Sequence, residues 1–150
     1  MAASSYKDLF VWQKSMELAQ EIYRLTKLLP KEEAFSLSDQ MRRAAVSIPS
    51  NIAEGQERNS GKEFVRFLSI ARGSRAELET QLQICVMVGY LSNTDVLAAT
   101  RLLKEIGKML TALISDAGYA RKFSVIGFQL SVSGVLREGI DNAAHIICRL

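Results

Sequence analysis

The sequence predicts an all-α fold, an antiparallel up-down four-helix bundle with long helices over residues 1–118. A C-terminal extension over 119–150 follows, whose structure the pattern leaves open. Three observations predict this. Apolar residues recur at three- and four-residue steps over four separate stretches, the spacing of one helix face. Only two prolines and nine glycines occur in 150 residues, with little aromatic content, which favours helices over a sheet with many turns. The connections between stretches are short, so successive helices reverse direction and pack as neighbours.

The first helix is expected from about Asp8 to Leu29. Val11, Leu18, Ile22, Leu25 and Leu29 make its apolar stripe, and Lys14, Glu17, Glu21 and Arg24 face water. Ser5 with Asp8 has the spacing of a capping box, and Pro30 supplies the stop. Trp12 and Tyr23 flank the stripe and read first as core packing, with a stacking role for Trp12 as the alternative. The second helix starts near Ser36, where Ser36 and Asp39 again have capping-box spacing. Leu37, Met41, Ala44, Ile48, Ile52 and Gly55 carry its stripe. Pro49 lacks an N–H and its ring crowds the carbonyl of Ala45, so a bend is expected there.

Ser60-Gly61-Lys62-Glu63 opens a third helix, with Phe64, Phe67, Leu68, Ala71, Leu78, Leu82 and Cys85 on its apolar face and Gly89 as its stop. Ser92 with Asp95 marks the fourth start. Ala99, Leu103, Ile106, Leu110, Leu113 and Ala117 follow in alternating steps of four and three, suited to helices crossing at about 20°. Gly118 is the expected end. Beyond it Ile126, Phe128, Leu130 and Val132 alternate with small or polar residues, a strand period, before Leu136, Ile140, Ala143 and Ile147 return to helical spacing. A lone strand finds no edge in a bundle. An ordered arm, a disordered terminus and residues foreign to the bundle are the three readings of this extension.

Two strings stand out within the helices. Arg42-Arg43-Ala44-Ala45-Val46-Ser47-Ile48-Pro49-Ser50-Asn51-Ile52-Ala53-Glu54-Gly55 places a proline inside an alanine-rich run, and Ile70-Ala71-Arg72-Gly73-Ser74-Arg75-Ala76-Glu77-Leu78 places a glycine inside another. Proline and glycine cost about 3 and 1 kcal/mol against alanine within a helix, so each calls for a compensating reason. Close helix contact at Gly55 and Gly73 is one reason. A polar network in which Asn51 or Glu54 bonds across to the helix of Arg72 and Glu77, with the small Ser74 at the contact, and so fixes bundle register is another. Simple capping of the bend at Pro49 is the blander alternative.

With Asp8-Leu9-Phe10-Val11-Trp12-Gln13-Lys14, these strings resemble the small four-helix-bundle proteins encoded in intervening sequences of bacterial 23S ribosomal RNA genes. The resemblance fades near Gly118. A related group, accessory proteins of diversity-generating retroelements, implies a homopentamer with a basic surface that binds nucleic acid. That implication is one of analogy, because fold alone does not carry function.

Composition narrows the field. A net charge of +3 and a pI near 9.0 permit an acidic partner without requiring one. Cys85 and Cys148 are too few for a disulfide framework, and Cys85 reads as a buried small hydrophobe. Uncharged runs fall short of the ~20 residues that span a bilayer, and Met1 to Asp8 lacks a signal-peptide core, so a cytoplasmic bacterial protein without a membrane partner is expected.

Catalytic chemistry has little to stand on. His145 is the one histidine, with no partner that can be placed against it. A Glu-x-x-His pair for a di-iron bundle, a His/Cys metal cluster and a phosphate-binding glycine loop are all missing from the sequence, so no cofactor and no metal are expected. Glu54, Glu57 and Glu63 read as caps and salt partners rather than an acid–base site.

The charge distribution is more informative. Between residues 42 and 75 stand seven cations, Arg42, Arg43, Arg58, Lys62, Arg66, Arg72 and Arg75, against the anions Glu54, Glu57 and Glu63, a net +4 that exceeds the whole chain's +3. Arg58, Lys62 and Arg66 are four apart, and Arg72 and Arg75 are one turn apart. Such positions can track a phosphate backbone, or simply form solvated faces. The leading expectation is a non-enzymatic homo-oligomer that binds RNA or DNA. The alternative is an assembly module whose ligand is a protein partner, recognised through apolar positions such as Phe128 and Leu130.

Overall fold

A computed structural model describes residues 5–33, 35–58 and 60–127, the stretch 118–127 by its backbone alone. Four α-helices account for most of them: α1 over Phe10–Leu25, α2 over Leu37–Glu57, α3 over Gly61–Met87 and α4 over Leu97–Gly127. Short 3-10 turns at Tyr6–Asp8 and Lys31–Glu33 lead into α1 and α2, and no strand occurs among the described residues.

Each helix packs on two neighbours, α1 and α3 both lying between α2 and α4. The residues that meet fix the directions. Across α2 and α3, Gly55 meets Phe67, Ser47 meets Ser74 and Met41 meets Cys85, so one number falls as the other rises. Across α1 and α4, Arg24 reaches the carbonyl of Asp95, while Lys14, held protonated above its usual range chiefly by its bond to Glu17, also feels Glu105. The antiparallel up-down bundle is the observed fold.

The apolar stripes face inward as their spacing requires. Leu18, Ile22 and Leu25 of α1, Met41, Ile48 and Ile52 of α2, Leu68 and Leu78 of α3, and Leu103, Ile106 and Leu110 of α4 are fully buried. Each such side chain contributes about 1.5–3 kcal/mol relative to exposure. Cys85 is buried with its Sγ 3.6 Å from Met41 Sδ, and burial pushes its thiol pKa up, so it packs as an apolar group. Trp12 is half-buried and meets Tyr6 edge-on at 5.4 Å. Tyr23 departs from the expected core position. It is 47% exposed, and the Arg42 guanidinium lies over its ring at 5.7 Å.

The helix ends follow local chemistry. Ser5 and Asp8 form the expected reciprocal cap, around the 3-10 turn, with α1 itself beginning at Phe10. α1 stops at Leu25 instead of Leu29. The next residues tighten into i→i+3 bonds, Lys27 N–H to Arg24 O and Leu28 N–H to Leu25 O, because Pro30 disfavours a helical Leu29. Ser60 Oγ accepts from Glu63 N–H at 3.5 Å, and Ser92 and Asp95 bond reciprocally ahead of α4. Gly89 adopts φ +79°, and Tyr90 N–H reaches back to Cys85 O at 2.9 Å to close α3.

The expected stop at Gly118 is not observed, since α4 continues to Gly127. One glycine costs about 1 kcal/mol in a helix already propagating, and no proline follows to break it. Ile126 and Gly127, read as the start of a strand pattern, therefore belong to α4. The remaining residues of that pattern, with Leu136, Ile140, Ala143, His145, Ile147 and Cys148, lie outside the described residues.

Candidate nucleic-acid interface

The structure divides the seven cations predicted from the sequence into three groups. Arg42 and Arg43 are neighbours on α2 in different settings. Arg42 is half-buried and donates from Nε to Thr26 Oγ1 at 3.0 Å, which ties α2 to the end of α1. Arg43 is exposed and pairs with Asp39 at 2.9 Å, one turn earlier.

The second group gathers at the α2–α3 connection. Arg58 caps α2, so helical geometry does not carry through to Lys62, yet Arg58 and Arg66 both stand over the Phe67 ring, at 5.5 and 5.7 Å. Arg58 pairs with Glu54 and Arg66 with Glu63. Exposed pairs of this kind contribute about 0–1 kcal/mol, so either guanidinium can exchange its glutamate for another anion at small cost. Lys62 is exposed and has no ion-pair partner among the described residues.

Arg72 and Arg75 form the third group and point elsewhere. Six residues at 100° each put Arg72 about 120° around α3 from Arg66, so the helix carries two basic faces instead of one stripe. Arg72 and Arg75 line a cleft of about 690 Å³ between α3 and α4, opposite Lys104, Gly107, Lys108, Thr111 and Ala112. Arg75 is largely enclosed, its side chain 19% exposed. Its Nη1 donates to Leu103 O at 3.2 Å and pairs with Glu79 at 3.1 Å, while its Nε is buried without an acceptor. Arg72, Lys104 and Lys108 are exposed, with no ion pair among the described residues.

Lys104 and Lys108 are the site residues that sequence reasoning missed. The available signal was a pair of lysines four apart beside the Leu103/Ile106/Leu110 stripe. Only the packing of α4 on α3 brings them to Arg72 and Arg75. A second cleft, between α1 and α4, sets Glu17 and Glu21 against Arg24 and Lys27 and so balances its charge. Among the described residues no group of three or more His, Cys, Asp and Glu is placed to hold a metal. No helix there is long and apolar enough to cross a membrane.

The packing residues separate as clearly. Pro49 is buried inside an unbroken α2. In the following turn Ser50 Oγ and Asn51 Nδ2 donate to the carbonyls of Val46 and Ser47, at 2.8 and 2.7 Å. Asn51 also bonds Ser47 Oγ at 3.0 Å, and Ser47 Oγ bonds Ser74 Oγ at 2.8 Å, a polar link from α2 to α3. Glu54 is not part of that link, being paired with Arg58. Gly55 is a true close approach. A Cβ there would lie 2.7 Å from Phe67 Cβ. Gly73 is not, since a Cβ there meets nothing within 4 Å. The serine beside it makes the contact that the glycine does not.

No curated protein matches the chain. Among solved structures it is similar to a protein of unknown function from the S23 ribosomal protein family of Bacteroides thetaiotaomicron VPI-5482. That match has 30% identity and a TM-score of 0.65, and spans 69% of this chain and 97% of the other. The family model for the 23S rRNA-intervening sequence protein matches residues 7–112, which take in α1 to α3, the first half of α4 and every basic group described above. The chain belongs to the 23S rRNA-intervening sequence protein family.

Proposed function

We propose that this chain is a non-enzymatic, cytoplasmic RNA-binding protein that works as a homo-oligomer and contacts phosphates through its basic residues. The observation that carries the reading is the net +4 between residues 42 and 75, with Arg43, Lys62, Arg66 and Arg72 on exposed positions. Membership of a family named for 23S rRNA intervening sequences supports RNA as the polyanion. Resemblance to the retroelement accessory group supports a pentamer, in which five modest surfaces add by avidity. Phe64 and Phe67, the aromatic residues among these cations, pack into the bundle and are not free to stack on bases as in single-strand binders, so contacts are to backbone and shape.

The test is titration of labelled structured RNA and duplex DNA at several salt concentrations, with an Arg43→Glu/Lys62→Glu variant beside the wild type. Arg42 is avoided because its bond to Thr26 makes it part of the fold. Binding that weakens steeply with salt and further in the variant is expected. Absence of binding at low salt by the correctly assembled protein sinks the proposal.

A second reading has its own observation. Phe35 is 97% and Met87 80% exposed, and the bond from Tyr90 to Glu33 holds the loop of Phe35 to the end of α3. An adaptor using this apolar end expects no RNA binding and loss of assembly in Met87→Glu.

A further inference from the structure

The cleft between α3 and α4 differs from the other basic groups. Arg43, Arg58 and Arg66 each have a carboxylate within their own helix or its cap, whereas Arg72, Lys104 and Lys108 converge on one cleft with no paired carboxylate among the described residues. Among the described residues four cations line it, and Glu79, bound to Arg75, is the one carboxylate paired with any of them. Thr111 lines it too, but its hydroxyl donates to Gly107 O at 2.9 Å, which leaves the donors to a ligand to the cations. Like charges facing one another across a cleft destabilise the fold unless an anion joins them.

The floor has a construction of its own. Gly107 leaves out the Cβ that would sit 3.3 Å from Cζ, Nε and Nη1 of Arg75, so the guanidinium lies against the α4 backbone. There Nη1 is fixed by Leu103 O and Glu79, while the Nε–H is buried without an acceptor. A buried donor left unsatisfied on a charged group calls for an explanation, and a bound anion is one.

We propose that this cleft is a phosphate-binding seat, with Arg75 as its fixed floor and Arg72, Lys104 and Lys108 closing around the anion. Arginine supplies planar paired donors and the lysines mobile point charges, a combination suited to a tetrahedral oxyanion. The phosphate is a group of a nucleic-acid backbone, and for that source the inference rests on the RNA reading above. A free phosphate has the same chemistry, and the experiment separates the two.

The experiment uses the full chain, a Lys104→Gln/Lys108→Gln variant and, as control, a Lys27→Gln/Lys31→Gln variant at two exposed lysines outside the basic faces, each checked for helicity and assembly. Inorganic phosphate is titrated by calorimetry, and structured RNA by fluorescence anisotropy over a salt series. The expected result is loss of inorganic phosphate binding and weakened RNA binding in Lys104→Gln/Lys108→Gln. RNA affinity there falls roughly tenfold or more, and the salt slope falls by about 2, while the control keeps phosphate binding. Phosphate binding that disappears in the variant, from a protein that never binds RNA, keeps the seat, assigns it to free phosphate and sinks the RNA reading. RNA binding equal to wild type in Lys104→Gln/Lys108→Gln overturns the seat and leaves the RNA reading to the α2–α3 faces. A wild type that takes up neither ligand at low salt overturns both.

Discussion

Gly55 of α2 and Phe67 of α3 approach so closely that a Cβ on residue 55 would stand 2.7 Å from the Phe67 Cβ, and 3.2 Å from Phe64 Cδ2. The blocking atoms belong to the base of one side chain and the ring of another, so relief requires the helices to part. Gly55→Ala is expected to cost about 1–3 kcal/mol in overpacking, against a gain of about 1 kcal/mol in helix propensity, and so to lower stability. Urea unfolding of the two proteins checks this. Equal or greater stability in the variant would show that α2 and α3 part without loss.

Gly73 gives the opposite expectation. It is exposed on α3, with nothing within 4 Å of the Cβ it lacks. Gly73→Ala is therefore expected to raise stability by about 1 kcal/mol, the difference in helix propensity. The measurement is the thermal midpoint together with the assembly state by light scattering. A lower midpoint or a changed assembly would place Gly73 against a second copy of the chain.

These two glycines mark where the sequence stops being legible. Period 3.6 tells which residues share a helix face, so the stripes from Val11 to Leu25 and from Ala99 to Leu110 could be read directly, as could the caps at Ser5, Ser60 and Ser92. It does not tell which residue of the next helix stands opposite. Gly55 and Gly73 looked alike because only the α2–α3 contact separates them. The same holds for the basic cleft. Arg72 and Arg75 were visible as a one-turn pair, but their juxtaposition with Lys104 and Lys108 depends on the register of α3 against α4. Gly118 misled for a local reason, since one glycine in a helix already propagating is tolerated.

Glu33 makes the fold sensitive to acid. Its carboxylate accepts from Ser36 Oγ, from Leu37 N–H at 3.4 Å and from Tyr90 Oη at 3.1 Å, and these bonds, Ser36 first, hold its pKa below the usual glutamate range. A pKa depressed by folding gives stability that is present above the unfolded value and lost as pH falls through the folded one. Asp95 is lowered in the same sense, chiefly by Ser92, so both loops at this end weaken together. Unfolding midpoints measured from neutral pH into acid are expected to fall in the wild type. They are expected to fall less steeply in Glu33→Gln, with the two curves converging at the acid end. Parallel curves would remove Glu33 from the acid response.

Gly107 and Arg75 provide a test of packing at the cleft that needs no ligand. A leucine at 107 would drive its side chain into the space of the guanidinium and pull Nη1 from Leu103 O, 3.2 Å away. Gly107→Leu is expected to cost about 1–3 kcal/mol by overpacking, beyond what helix propensity returns. In an Arg75→Ala background the obstacle is gone, so the same substitution should be close to neutral. The cycle of four proteins, followed by urea unfolding, then yields a coupling of roughly 1 kcal/mol or more between positions on different helices. A cost that is the same in both backgrounds would mean that Arg75 does not occupy the place Gly107 leaves, and that the glycine answers to something other than the floor of the cleft.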